Sequence, residues 1–232
     1  MNPFMLIQAA AQGAATEVEG EEVVEQSINL IELMLKGGWI MLPLGILSII
    51  AVYIFIERYL ALRRASTEDT TFMNRIKDYI HDGKIDSALA LCSNSAHPIA
   101  RMIEKGISRI GRPLGDVSTA IENVGNLEVS RMEKGLPTLA TIAGGAPMIG
   151  FLGTVIGMIK SFWEMSNAGN NIMVDQLAGG IYTALVTTVT GLIVGIVAYF
   201  AYNILVARVE KVVFKMEART MEFMDILNEP AR

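Results

Sequence analysis

GGIYTALVTTVTGLIVG, residues 179–195, contains no charged side chain, yet carries threonine at 183, 187, 188 and 190 and glycine at 179, 180, 191 and 195. At 100° per residue, Gly180, Ala184, Thr187, Gly191, Gly195 and Ala198 fall on one side of a helix, with Thr183 and Thr188 at its two edges. Leu185, Val186, Val189, Leu192, Ile193, Ile196 and Phe200 fall on the other. The segment is amphipathic by size rather than by charge. That pattern belongs in lipid, where no hydrophobic force joins helices and a small-residue face lets backbones approach closely enough to gain dispersion contacts.

The rest of the chain supports a membrane setting. Of 232 residues, 52% are hydrophobic and 19% charged, and the apolar excess is concentrated in three blocks. Residues 38–56, 136–159 and 176–207 contain no Asp, Glu, Lys or Arg, and a spanning helix needs about 20 such residues. The reading is an all-α membrane protein with three transmembrane helices, two of them prolonged into a cytoplasmic helical bundle. The second span repeats the sorting of the third. Ala143, Ala146, Pro147, Gly150, Gly153, Thr154, Gly157 and Ser161 share one side, and Met148, Ile149, Leu152, Val155, Ile156 and Ile159 share the other. Pro147 removes one backbone hydrogen bond and is a candidate kink.

Charge sets the expected orientation. Ahead of the first span one basic residue, Lys36, stands against six glutamates, whereas Arg58, Arg63 and Arg64 follow it and Arg208, Lys211, Lys215 and Arg219 follow the third span. Basic flanks stay on the cytoplasmic side. Residues 1–37 are therefore expected to be periplasmic, 57–135 a cytoplasmic helical insert, 160–175 a periplasmic loop and 208–232 a cytoplasmic helix. Within residues 23–36, Val24, Ile28, Ile31 and Leu35 form the stripe of a short amphipathic helix, lying in the interface or packed on a neighbouring subunit. The first ten residues lack the basic start of a signal peptide, so cleavage is not expected. In the insert, turn signals at 82–83, 96–98 and 111–113 separate helices expected over 85–92, 99–110 and 117–134, and residues 66–69 resemble a capping box.

Composition also excludes function classes. The single Cys92 rules out an intrachain disulfide and reads as a buried small hydrophobe, and two scattered histidines make a metal site unexpected. A formal charge of −5 without a basic tract argues against nucleic acid as a partner. No paired nucleophile and base or phosphate loop is present, so neither an enzyme nor a cofactor is expected. A lone membrane threonine usually bonds a carbonyl of its own helix. Thr154 near Gly150 and Gly157, with Thr183, Thr187 and Thr188 near Gly191, could nevertheless make a polar strip that holds water or orients a carboxyl group.

APMIGFLGTVIGMI, residues 146–159, resembles the second span of the ExbB/TolQ/MotA family, the ion-conducting subunits of membrane motor complexes. Residues 180–188 with Gly191, Leu192 and 201–203 resemble the third span of ExbB and TolQ, and residues 36–41 with 56–58 and Arg63-Arg64 are similar to the first. With the segment before the first span, the likeness is nearest to ExbB. The resemblance implies a homopentamer in the bacterial inner membrane, in contact with lipid. It would enclose a dimer of an ExbD-like single-span partner whose membrane aspartate carries protons, and pass proton-motive force through a TonB-like protein to nutrient import across the outer membrane. It also implies that Thr154 and Thr188 face the ion path. One departure stands out: where many ExbB and TolQ members carry a glutamate, this chain has Thr183. The titrating group would then come from the partner, and a hydroxyl-lined path could suit sodium as well as protons. A TolQ-like subunit of the Tol-Pal system and a non-conducting membrane scaffold are the competing readings.

Overall fold

The structure is a computed structural model in which residues 37–66, 71–167 and 174–228 are described, and these form seven α-helices and no strand. They are α1 (Met41–Ser66), α2 (Phe72–His81), α3 (Ile85–Ser93), α4 (Pro98–Ile107), α5 (Leu114–Glu133), α6 (Leu136–Asn167) and α7 (Val174–Asn228). Three helical stretches are long and apolar enough to cross a membrane, within Met41–Ser66, Leu114–Asn167 and Leu177–Asn228. The amphipathic stripe expected over 23–36 and positions 67–69 of the capping box lie outside the described residues. Ser66 itself closes α1.

Several boundaries differ from the sequence reading. The first helix continues ten residues past the charge-free block, to Ser66, because Glu57, Arg63 and Arg64 stay exposed while Leu62 is buried and Arg58, largely covered, is satisfied by Glu57 and the Arg131 carbonyl. The second extends through 160–167, half of the expected loop, where Ser161 is buried and a Lys160–Glu164 pair spans one turn at 3.9 Å. The third runs unbroken over 55 residues. At 1.5 Å per residue such a helix is about 80 Å long, far more than a bilayer core requires. Between α5 and α6 the helix breaks at Lys134 and Gly135. Gly135 takes φ 88°, a conformation that side chains with a Cβ rarely adopt, and Ile54 of α1 packs at that break.

Polarity is inside out over the apolar blocks. Leu42, Ile49 and Tyr53 on α1, Met148, Phe151 and Ile159 on α6, and Ile193, Ile196 and Phe200 on α7 are all exposed. In water such a surface would aggregate; against lipid it is the expected exterior. The charged ends pack as an ordinary core instead. Phe223 of α7 is fully buried with Ile103 and Ile107 of α4 and Ile121 of α5. A Cβ added at Gly106 would stand 2.5 Å from the Phe223 ring, so glycine is what lets that ring pass α4. Phe223→Ala should cost about 3–5 kcal/mol. The expected readout is a lower thermal midpoint, with earlier proteolysis of α2 to α5 than of the spans.

Cys92 is fully buried in the same core, in line with its reading as a small hydrophobe. Burial, and secondarily the nearby Glu104 charge, push its thiol up to about 12. Since the thiolate is the reactive species, a maleimide at pH 8 should label the folded protein at least ~100-fold more slowly than the unfolded chain. Above the ordinary thiol range the unfolded chain ionises while the folded one does not, so this group's contribution to stability declines as pH rises past about 9.

Two contacts tie α1 to α7 beyond the apolar block. The Arg208 guanidinium lies 3.9 Å from the centre of the Tyr59 ring and donates to its hydroxyl at 2.8 Å, and Lys215 donates to the Ser66 carbonyl at 3.0 Å. The latter satisfies one carbonyl of the last turn of α1, the place where a cation also meets the helix dipole favourably.

Candidate functional site, the seam between the second and third spans

The small faces of α6 and α7 meet each other within one chain. A Cβ built on Gly191 would stand 2.6 Å from the Ala146 carbonyl oxygen and 2.8 Å from the Gly150 Cα. One on Gly150 would stand 2.9 Å from the Thr187 carbonyl oxygen. Further along, Gly153 faces Thr187, Gly157 faces Ala184, and Gly180 faces Ser161. Backbone therefore touches backbone along the seam, which only glycine and alanine permit. Pro147 lies inside α6 without ending it. Its ring packs on Gly195, where a Cβ would come within 2.5 Å, and Gly195 also lies beside the Ala143 carbonyl, the acceptor that the missing Pro147 N–H leaves unused.

Three of the four threonines singled out in the sequence converge in this seam. The Thr154 and Thr188 hydroxyls are hydrogen-bonded to each other across the two helices. Thr188 lies 3.1 Å from the Gly150 carbonyl oxygen and Thr154 3.2 Å from that of Ala184, so each hydroxyl reaches a carbonyl of the opposite helix. Thr187, only 1% exposed, donates back to Ala184 at 2.7 Å. Thr154 and Thr188 are half-buried, and one turn away from them Phe151, Leu185 and Leu192 are exposed. The pair thus sits at the lip of the seam, two hydroxyls framed by an apolar surface.

The other placements qualify the sequence reading. Thr183 does not join the cluster: it is half-buried and donates to the Gly179 carbonyl of its own helix at 3.0 Å. Thr187 is sealed between the helices and does not line an open strip. Val186, assigned to the large lipid-side face, is 5% exposed. It begins a second buried stripe of α7 that runs through Thr190 and Val194, and Val194, Ala198 and Leu205 share a cluster with Leu44, Ala51 and Leu62 of α1. Thr190, which sequence reasoning did not single out, belongs to that stripe and bonds back to Val186 at 2.9 Å. Its spacing of four from Val186 was the available signal.

Among the described residues no group of His, Cys, Asp or Glu is arranged to hold a metal. What the site offers is hydroxyl and carbonyl oxygen, ligands that solvate a proton-bearing carboxyl group or a hard cation without bringing a fixed charge into the membrane.

Residues 94–218, more than half of the chain, match the family model described as the MotA/TolQ/ExbB proton channel family. The chain belongs to the MotA/TolQ/ExbB proton channel family. It is 30% identical over 190 residues to an ExbB homolog of the biopolymer transport type from Methanothermobacter thermautotrophicus, covering 82% of this chain and 67% of that one. Against an ExbB-like protein of Synechocystis the identity is 30%, over 78% of this chain and 72% of the relative. A Tol-Pal system protein TolQ of Haemophilus influenzae is 31% identical over 219 residues, covering 88% of this chain and 96% of that one. The MotA/TolQ/ExbB match covers α4 and α5, all of α6 and most of α7, so the seam and its hydroxyl pair lie inside the family segment. This is a family of membrane channels and not a class of enzymes.

Proposed function

We propose that this chain is the proton-conducting subunit of an inner-membrane motor of the ExbB type. It works as a pentamer around a single-span, ExbD-like dimer and transmits proton-motive force to a TonB-like protein. The observation that carries this reading is the Thr154–Thr188 pair at the lip of the seam, half-open to a neighbouring helix and set in blocks that hold no acid or base. A partner aspartate brought to that lip in its protonated form would find hydroxyls able to donate and accept. Once it loses its proton towards the Arg-rich side, its charge is drawn back to the same polar spot. A voltage of 100 mV is worth about 2.3 kcal/mol per elementary charge, enough to bias each single-ion step. The N-terminus is then periplasmic and the C-terminus cytoplasmic, as the basic flanks favour.

The testing experiment is co-purification with a single-span protein bearing a membrane aspartate, followed by reconstitution in liposomes under an imposed voltage. Internal pH should change only when both proteins are present and the aspartate is intact. A sealed liposome carrying the full complex that passes neither protons nor sodium would sink the conduction reading. Flux that requires sodium and leaves pH unchanged would replace the proton by sodium.

A TolQ-like role in envelope maintenance is favoured by one observation, the near full-length similarity to the Haemophilus TolQ. The partner decides between the two: capture of a TolR-type protein in place of an ExbD-type one assigns the chain to the Tol-Pal system. In a pure scaffold, with the seam serving only helix packing, the reconstituted complex would be silent.

A further inference from the structure

A cleft of about 310 Å³ opens where α1 leaves its apolar block, between α1, the start of α4 and the end of α5. Four arginines line it: Arg58 and Arg64 from α1, Arg101 from α4 and Arg131 from α5. One acid, Glu128, lies at its base with its side chain 5% exposed, and takes hydrogen bonds from Arg101 at 3.0 Å and Arg131 at 2.5 Å. Arg58 is held by Glu57 at 2.6 Å and donates to the Arg131 carbonyl at 3.2 Å. Two carboxylates thus stand against four guanidiniums. Arg64 is exposed and has no hydrogen-bond or ion-pair partner among the described residues. The first turn of α4 also borders the cleft through His97 and Pro98, and no side chain caps it. Uncapped N–H groups add to the positive potential there.

The location narrows the ligand. Arg58 lies two residues beyond the charge-free block of the first span, and Arg131 five residues ahead of that of the second. The cleft is therefore at headgroup depth. On the same side of α1 as Ala61 and Arg64, one to several turns into the apolar block, Ile46, Ile50 and Tyr53 are exposed, a greasy track leading to the arginines. Guanidinium forks match phosphate oxygens in geometry and charge.

We propose that this cleft binds the phosphate of an anionic membrane lipid in the leaflet on the Arg-rich side, with its acyl chains along Ile46, Ile50 and Tyr53. The bound headgroup supplies the negative charge that the arginine cluster lacks, and clamps α1 to the α4–α5 pair. Proton conduction is not required for this binding, so a silent complex that still selects the lipid leaves the site standing.

The test uses the full chain in neutral detergent micelles, titrated with phosphatidylglycerol or phosphatidylcholine and read by the quenching of a labelled lipid. Phosphatidylglycerol should bind at least about 10-fold more tightly. Arg64→Gln, an exposed change that leaves the ion pairs intact, should weaken phosphatidylglycerol about 3- to 10-fold and leave phosphatidylcholine unchanged. Arg112→Gln removes the same charge from the exposed turn between α4 and α5, away from the cleft, and should change binding less than ~2-fold. Equal affinity for the two lipids, or equal weakening by both substitutions, overturns the proposal. Displacement of phosphatidylglycerol by an equimolar amount of inorganic phosphate overturns the lipid assignment and gives the site to a soluble phosphate.

Discussion

Gly191→Leu is expected to abolish accumulation of folded protein in the membrane, whereas Gly144→Leu on the neighbouring helix should be tolerated. The two positions have the same residue in equally apolar spans and differ in what a side chain would meet. At Gly191 the first added carbon would stand 2.6 Å from a backbone oxygen and 2.8 Å from the Gly150 Cα, and neither can swing aside as a side-chain end can. At Gly144 nothing lies within 4 Å. Overpacking a core by a few carbons typically costs about 1–3 kcal/mol when neighbours can adjust. Here α6 and α7 must separate along their length, losing the close contacts that stand in for a hydrophobic force in lipid. Gly191→Ala should already lower the thermal midpoint in detergent, with leucine going further. A Gly191→Leu protein that melts like the parent would show that the seam is not what holds the two spans together.

The size sorting of residues 179–195 was readable because a helix repeats every 3.6 residues, so composition alone separates Gly180, Ala184, Thr187, Gly191 and Gly195 from their bulky neighbours. What opposes that face is a different matter. A wheel carries no information on the partner, and the same small stripe could have faced another subunit or a pore. In the structure it closes on the matching stripe of α6, which removes Thr187 from any open path and leaves only Thr154 and Thr188 at the lip. The wheel also divided α7 into two sides where three environments exist. Val186 and Thr190 are buried although they stand outside the small-residue face, which a wheel of one helix does not reveal. Thr183 stayed ambiguous for a third reason: a hydroxyl can spend its hydrogen bond within its own helix, as it does on Gly179, and sequence does not reveal that choice. The arginine cleft was invisible in the same way, since Arg58, Arg64, Arg101 and Arg131 come from three helices and look in sequence like ordinary solvated charges.

Thr154→Val and Thr188→Val should each lower proton flux of the reconstituted complex about 10- to 100-fold while leaving assembly unchanged. Valine keeps the shape of threonine and removes only the hydroxyl, so the seam retains its packing. In either variant the Gly150 and Ala184 carbonyls keep their helical hydrogen bonds, and the surviving hydroxyl can still turn to a carbonyl. The folded protein therefore loses little. A carboxyl group arriving from a neighbouring helix loses more, because one of the two hydroxyls that would solvate it is gone. A hydrogen bond to a charged group is worth about 1.5–3 kcal/mol, which sets the expected range in rate. Thr187→Val and Thr183→Val act as internal comparisons: the first hydroxyl is sealed in the seam and bonded to Ala184, the second is occupied by Gly179 on its own turn. Both should pass protons within about 3-fold of the parent, a change of under 1 kcal/mol. If all four substitutions reduce flux alike, the path follows the whole threonine face, with the seam opening during turnover. If Thr154→Val and Thr188→Val conduct normally in an intact complex, the hydroxyl pair is a packing device and the proton takes another route.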